Sequence, residues 1–276
     1  DIYQHIGDDT RALESQLDAY HLADSIQQYR LIAMSLNSQA RSYIGLEDYY
    51  KAEQCVKKAI KLSKIHDQQD LLADAHVIFG DLYAERYNYP LALEHYQLAH
   101  KLYVSLHKEV QIAIAIFKTG DCHYSMDQMD TAFQYHLNAL TIRNRIKDRT
   151  GLAESYNKIG LLCIEKGEFQ RAINNIRIGL RNAERINSNR LMQQSFDFLY
   201  QAYLGLDDFK KAIFYQNKYT NISELIYSEA SEKRIEKINT QHEIELRDQQ
   251  IRNLQDVSQQ NEQQLATSQK FNVTLI

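Results

Sequence analysis

Tryptophan is absent from the 276 residues, proline occurs once and glycine nine times. So few turn-forming residues exclude an all-β sandwich or barrel, whose many short strands are punctuated by Gly- and Pro-rich turns. The three cysteines, Cys55, Cys122 and Cys163, are too few and too widely spaced for a disulfide framework or a zinc pattern, and they read as small buried apolar residues. No apolar run approaches the roughly 18–20 residues of a membrane span, and no signal peptide opens the chain. An excess of one charge is also missing. Lys and Arg total 32 against 36 Asp and Glu, so the net charge of −4 offers no broad basic field for nucleic acid or an anionic membrane surface. With 44% hydrophobic and 25% charged residues, what remains is a folded, mostly helical chain.

What is present is an internal repeat. Alanine recurs at Ala12, Ala52, Ala92, Ala132, Ala172 and Ala212, each 40 residues after the last. Twelve residues before these stand Ala40, Gly80, Gly120, Gly160 and Tyr200, mostly small, and three residues further on stand Tyr43, Tyr83, His123, Cys163 and Tyr203. Seven residues after the alanines come Ala19, Ala59, Ala99, Ala139 and Gly179, with Tyr219 breaking the series. Each unit holds two amphipathic stripes. Leu152, Tyr156, Ile159, Leu162 and Cys163 make one, and Phe169, Ala172, Ile173, Ile176 and Leu180 the other. Neither stripe can be buried by its own helix, so stacked hairpins sharing a core are expected. Pro90, two residues before Ala92, marks the first turn of a second helix, where proline is tolerated.

Read in full, one unit runs ESYNKIGLLCIEKGEFQRAINNIRIGLRNAERI, closed by the polar break Asn187-Ser188-Asn189-Arg190. This resembles a tetratricopeptide repeat, a helical hairpin with small residues near positions 8, 20 and 27, large ones near 11 and 24, and a turn such as Gly167-Glu168-Phe169. Five units match from about Gln27 to Tyr227. They depart from the family pattern in their 40-residue period, in lacking the signature tryptophan and in lacking a closing proline. Longer helices of this kind are similar to the variants in bacterial peptide receptors, bacterial sensor proteins and eukaryotic polarity scaffolds. The resemblance implies an all-α, right-handed superhelix of 40-residue hairpins over residues 1–227, followed by one long helix over 228–276.

In such hairpins the first-helix positions 2, 5, 9 and 12 line the concave groove. Carried over, they give Asn37 and Arg41, then Asp74 and Asp81, then Phe117, Asp121 and Tyr124, then Glu154 and Asn157, and finally Asp197 and Gln201. Acceptors outnumber cations in this set. Asn37, Asn157 and Gln201 suit the backbone of an extended peptide, and Asp74, Asp81, Asp121 and Glu154 favour a basic one. The alternative is that these polar residues only solvate an exposed helix face.

Both ends carry expectations of their own. Ala12 and Ala19 hold second-helix positions with only eleven residues before Ala12, so either the first hairpin is cut short and more chain precedes it, or the partial unit is a native cap. Residues 228–270 are charged, glutamine-rich and free of glycine and proline, which reads as one long helix. Within it, Ile235, Ile238, Ile244, Ile251, Leu254 and Leu265 form a partial heptad diluted by Arg247, Ser258, Asn261 and Ser268. That suits a weak parallel homodimer, a solvated helix or a folded-back cap. Phe271–Ile276 looks like the start of a transmembrane segment. The layout is similar to bacterial sensors with an extracytoplasmic tetratricopeptide domain, a juxtamembrane helix, one span and a histidine kinase or diguanylate cyclase output. That resemblance implies a periplasmic domain of an inner-membrane protein that binds a peptide or protein ligand and meets the membrane only beyond Ile276. An odd cysteine count leans the other way. The alternatives are a cytoplasmic peptide-pheromone receptor and a scaffold.

Motifs of catalysis are missing: the chain has no Gly-x-x-x-x-Gly-Lys loop, no His-Glu-x-x-His and no Gly-x-Ser-x-Gly. No catalytic residue, cofactor or metal is expected. His95 and His100 stand five apart, while His123 and His136 fall where a tetratricopeptide hairpin packs its two helices together. Although Cys122 is near them in sequence, no carboxylate or second cysteine completes a metal site, so core histidines satisfied by their neighbours are expected. Asn221-Ile222-Ser223 and Asn272-Val273-Thr274 match a glycosylation acceptor only formally.

Overall fold

The computed structural model describes residues 9–229 and 231, and no strand occurs among them. Ten helices follow one another in steps of twenty residues: α1 (Asp9–Ser25), α2 (Tyr29–Gly45), α3 (Tyr49–Ile65), α4 (Gln69–Glu85), α5 (Tyr89–Ser105), α6 (Glu109–Ser125), α7 (Met129–Arg145), α8 (Arg149–Glu165), α9 (Phe169–Arg185) and α10 (Asn189–Leu204). An eleventh, α11, starts at 209 and continues to 229. The 40-residue period is thus two helices and two three-residue turns.

Helices α1 to α10 end the same way. After α8 the Gly167 amide donates to the Ile164 carbonyl at 2.9 Å and the Glu168 amide to the Cys163 carbonyl at 2.8 Å, which is the Schellman pattern. Gly167 itself has φ 73°. The equivalent turn residues Gln27, Glu47, Asp67, Tyr87, His107, Asp127, Lys147, Asn187 and Asp207 take positive φ without being glycine. A left-handed residue with a Cβ costs about 1 kcal/mol, so these turns are imposed by packing on both sides rather than chosen locally. Helix starts are more local. Asp48, Asn88, Asp148, Ser188 and Asp208 accept the amide three residues on, and Pro90 sits in the first turn of α5 as expected.

Hairpins stack through the small residues. Ala12, Ala52, Ala92, Ala132 and Ala172 are fully buried, and Ala212 is nearly so. Ile159, Ile173, Ile176, Leu199 and Tyr203 fill the space between consecutive hairpins around Ala172 and Ala212. Besides packing on its sequence neighbours, α2 touches α4 and α8 touches α10. The first helices therefore form one row and the second helices another, an α-solenoid whose compact unit closes at Tyr219. Among the described residues no helix is long and apolar enough to cross a membrane. The heptad positions from Ile235 onward and the terminal Phe271–Ile276 lie outside the described residues.

Candidate functional site

The first-helix row carries acid–base pairs in register. Asp81 on α4 meets Lys118 on α6 at 2.8 Å, and Asp121 on α6 meets Lys158 on α8 at 2.9 Å. In both, the lysine follows its aspartate by 37 residues, so the same rung is built twice in consecutive repeats. Arg41 on α2 approaches Asp81 at 4.0 Å, and Glu154 on α8 is met by Arg143 at 3.1 Å and Arg190 at 3.6 Å. A concavity of about 380 Å³ opens over the first rung, lined by Asp81, Tyr96, Lys118 and Asp121 with Ile44 and Tyr89.

Second-helix side chains support these carboxylates from beneath. The Tyr103 hydroxyl donates to Asp74 at 2.6 Å and the Tyr96 hydroxyl to Asp81 at 2.7 Å. His136, one period after Tyr96, brings its Nε2 to 3.7 Å from Asp121. Arg143, one period after Tyr103, donates to Glu154. Small first-helix residues make room for this. A Cβ on Gly80 would lie 2.4 Å from the Tyr96 ring, and one on Gly120 would lie 2.9 Å from the His136 ring. Burial and the adjacent carboxylates push both phenols well above their ordinary pKa, so they stay protonated donors.

Arg143 is 2% exposed and lies 4.4 Å over the Phe117 ring. It also donates to the Gly151 carbonyl and to Ser155 Oγ, each at 2.8 Å. Burial lowers its pKa, an effect opposed chiefly by Glu154. The ammonium of Lys158 reaches 5.7 Å from the centroid of Tyr124.

The expected groove residues are thus not equivalent. Asp81 and Asp121 share the concavity; Arg41 reaches it through Asp81 and Tyr124 through Lys158, whereas Asp74 pairs with Tyr103, and Phe117 and Glu154 meet at Arg143. Asn157 is fully buried and donates to the Leu191 carbonyl at 3.4 Å, and Asn37 does the same to Leu71 at 3.1 Å. Both asparagines join neighbouring first helices from inside the array. Asp197 and Gln201 pair with each other on α10 at 2.9 Å, and burial raises the Asp197 pKa. Asp81, Asp121 and Glu154 are already met by cations, while Asp74 and Asp197 accept from Tyr103 and Gln201, so the row is closer to charge balance than the sequence suggested. Lys118, Lys158, Tyr96, Tyr103 and Arg143 were not legible as site residues. The signal for the lysines was their 40-residue spacing, one position after Phe117 and Asn157.

The histidines divide. His123 bonds Gln128 at 2.6 Å, and His76 and His95 face each other Nδ1 to Nδ1 at 3.0 Å. His136 corrects the expectation of a satisfied core histidine: it is fully buried, yet neither ring nitrogen has a hydrogen-bond partner. Among the described residues no group of three metal-ligating side chains occurs. All three cysteines are buried and free, and burial pushes Cys122 up to about 12.

Residues 35–66 and 111–185 each match the tetratricopeptide repeat family. The chain carries tetratricopeptide repeats in both segments. Over 130 residues this chain is 28% identical to response regulator aspartate phosphatase E of Bacillus subtilis, a match that covers 45% of this chain and 34% of that protein. The fold is similar to that of a signal transduction ATPase with a tetratricopeptide repeat sensor from Pyrococcus horikoshii, with TM-score 0.63, 14% identity and coverage of 73% of this chain and 32% of that one. A Rap protein solved with competence and sporulation factor gives TM-score 0.58 at 15% identity, over 80% of this chain and 72% of that one. The chain spans about a third of the length of the first two.

Proposed function

We propose that this tetratricopeptide array is the non-catalytic recognition part of a signal-transduction protein. Its first-helix row from α4 to α8 takes an extended peptide or protein segment. The observation that carries this reading is the repeated rung, Asp81–Lys118 and Asp121–Lys158, beside a concavity and supported from the second helices. Groups held from beneath lose little freedom when a ligand binds, and offering both charges in turn selects register more than net charge. The test is to pan a displayed peptide library against the wild type with counter-selection on an Asp81→Lys/Asp121→Lys variant. The reading expects sequences that the variant loses; sequences held equally by both contradict it.

In this proposal the bound state passes through residues 228–276, paired weakly between two copies, to an output domain of the histidine kinase or diguanylate cyclase type. The array would then be extracytoplasmic. Tethering raises effective concentration without new contacts, so Ile251→Asp and Leu254→Asp should abolish the pairing of a tethered form in ultracentrifugation. A second reading, a cytoplasmic peptide-pheromone receptor of the bacterial regulator type, is favoured by the match to the aspartate phosphatase and the likeness to the Rap complex. It needs no pairing of 228–276, so the same ultracentrifugation separates the two.

A further inference from the structure

The surroundings of the unpartnered His136 come from several helices. On α6, the Phe117 ring packs edge-on at 4.8 Å and the Asp121 carboxylate lies 3.7 Å from Nε2. On α8, Lys158 holds that same carboxylate oxygen at 2.9 Å. On α7 itself Arg143 is close enough to oppose a charge on the ring, and it is met by Glu154 of α8. On α5, Tyr96 also faces Asp121 and donates to Asp81. One carboxylate therefore stands between two nitrogen bases, and it is engaged by the lysine.

We propose that His136 is a positioning residue that couples the Asp121–Lys158 rung to a proton: when a carboxylate of a bound segment takes Lys158, Asp121 is released to His136 and the ring takes up one proton from solvent at Nε2. The proposal rests on the groove reading above for its ligand, and on geometry alone for its coupling. Burial, helped by Lys158 and Arg143, holds the His136 pKa down at about 4, while Asp121 opposes them. Removing Lys158 from the carboxylate thus acts twice in the same direction. The preceding repeat shows the contrast. There Tyr96 occupies the place of His136 and donates to Asp81 with a proton it never loses, so that rung holds its carboxylate without any uptake.

The test follows the ring signals of His136 by NMR through a pH titration of the unliganded protein, with Lys158→Met standing in for a captured lysine. The wild type should titrate near pH 4. Lys158→Met should raise the midpoint by about one unit or more, the size expected when a carboxylate within about 4–6 Å becomes free to pair. Lys158→Met/Asp121→Asn should bring it back to the wild-type midpoint or below. Lys118→Met, which breaks the equivalent rung one repeat earlier, should leave it in place. A Lys158→Met midpoint equal to that of the wild type overturns the coupling, as does a rise that survives Asp121→Asn. No peptide enters this titration, so its failure is separate from a failure of the groove to select ligands.

Discussion

Asn157 on α8 donates its amide to the Leu191 carbonyl on α10, and its Oδ1 accepts the Ser195 hydroxyl at 2.9 Å. Three periods earlier Asn37 makes the equivalent bond to Leu71. These bonds cross from one hairpin to the next where no backbone ladder can, so they set the stagger of the first-helix row. Asn157→Ala should cost about 1 kcal/mol in urea unfolding, the net worth of the lost bonds between hairpins, because the Ser195 hydroxyl also reaches the Leu191 carbonyl at 2.9 Å and neither group is stranded. Unchanged stability with weakened peptide binding would instead put Asn157 in the ligand site.

Ala172 sits fully buried among Ile159, Ile173, Ile176 and Leu199. Ala172→Leu should overpack the α8–α9 hairpin and destabilise it by roughly 1–3 kcal/mol. A melting temperature equal to that of the wild type would contradict the register of the whole array.

Arg143 joins α7 to α8 through three acceptors. Arg143→Met keeps the bulk over Phe117 but strands the Gly151 carbonyl and Ser155, and should cost about 2–3 kcal/mol, tempered because Glu154 keeps Arg190. Adding Glu154→Gln should recover part of that loss; strict additivity in a double-mutant cycle would show the pair uncoupled.

The pH dependence has a definite sign. His76 and His136 are both held near pKa 4 by burial, against about 6.5 in an unfolded chain. The unfolded chain binds the extra protons, so stability is full above about pH 6.5 and falls as pH drops toward 4. For His136 the limit is on the order of 3 kcal/mol, and for the less buried His76 it is smaller. Thermal melts from pH 7 to 4.5 should show the decline, and His136→Asn should flatten it. A midpoint that rises on acidification would contradict both assignments.

The sequence made legible what is local and repeated. The six alanines, the Gly167 turn and Pro90 each report on a few neighbouring residues or on a period, and the structure puts them where the pattern did. The site was legible only in part, because which side chain faces the groove depends on the stagger between hairpins. Asn157 falls on a groove position of the family pattern, yet the following repeat brings Ser195 over it. Lys118 and Lys158 become site residues only because first helices 40 residues apart pack with a stagger that brings residues 37 apart into contact. The left-handed turns at Tyr87 and Lys147 were also unreadable, since their own side chains disfavour the conformation that packing requires.

The most direct test of a ligand groove on the first-helix row is calorimetric titration of one selected peptide into three proteins: the wild type, Asp121→Lys, and Lys101→Glu on an exposed position of the second-helix α5. The account predicts that Asp121→Lys weakens binding by about tenfold or more, that the loss shrinks as salt rises, and that Lys101→Glu binds as the wild type does. Equal affinity for wild type and Asp121→Lys at every salt concentration would contradict it.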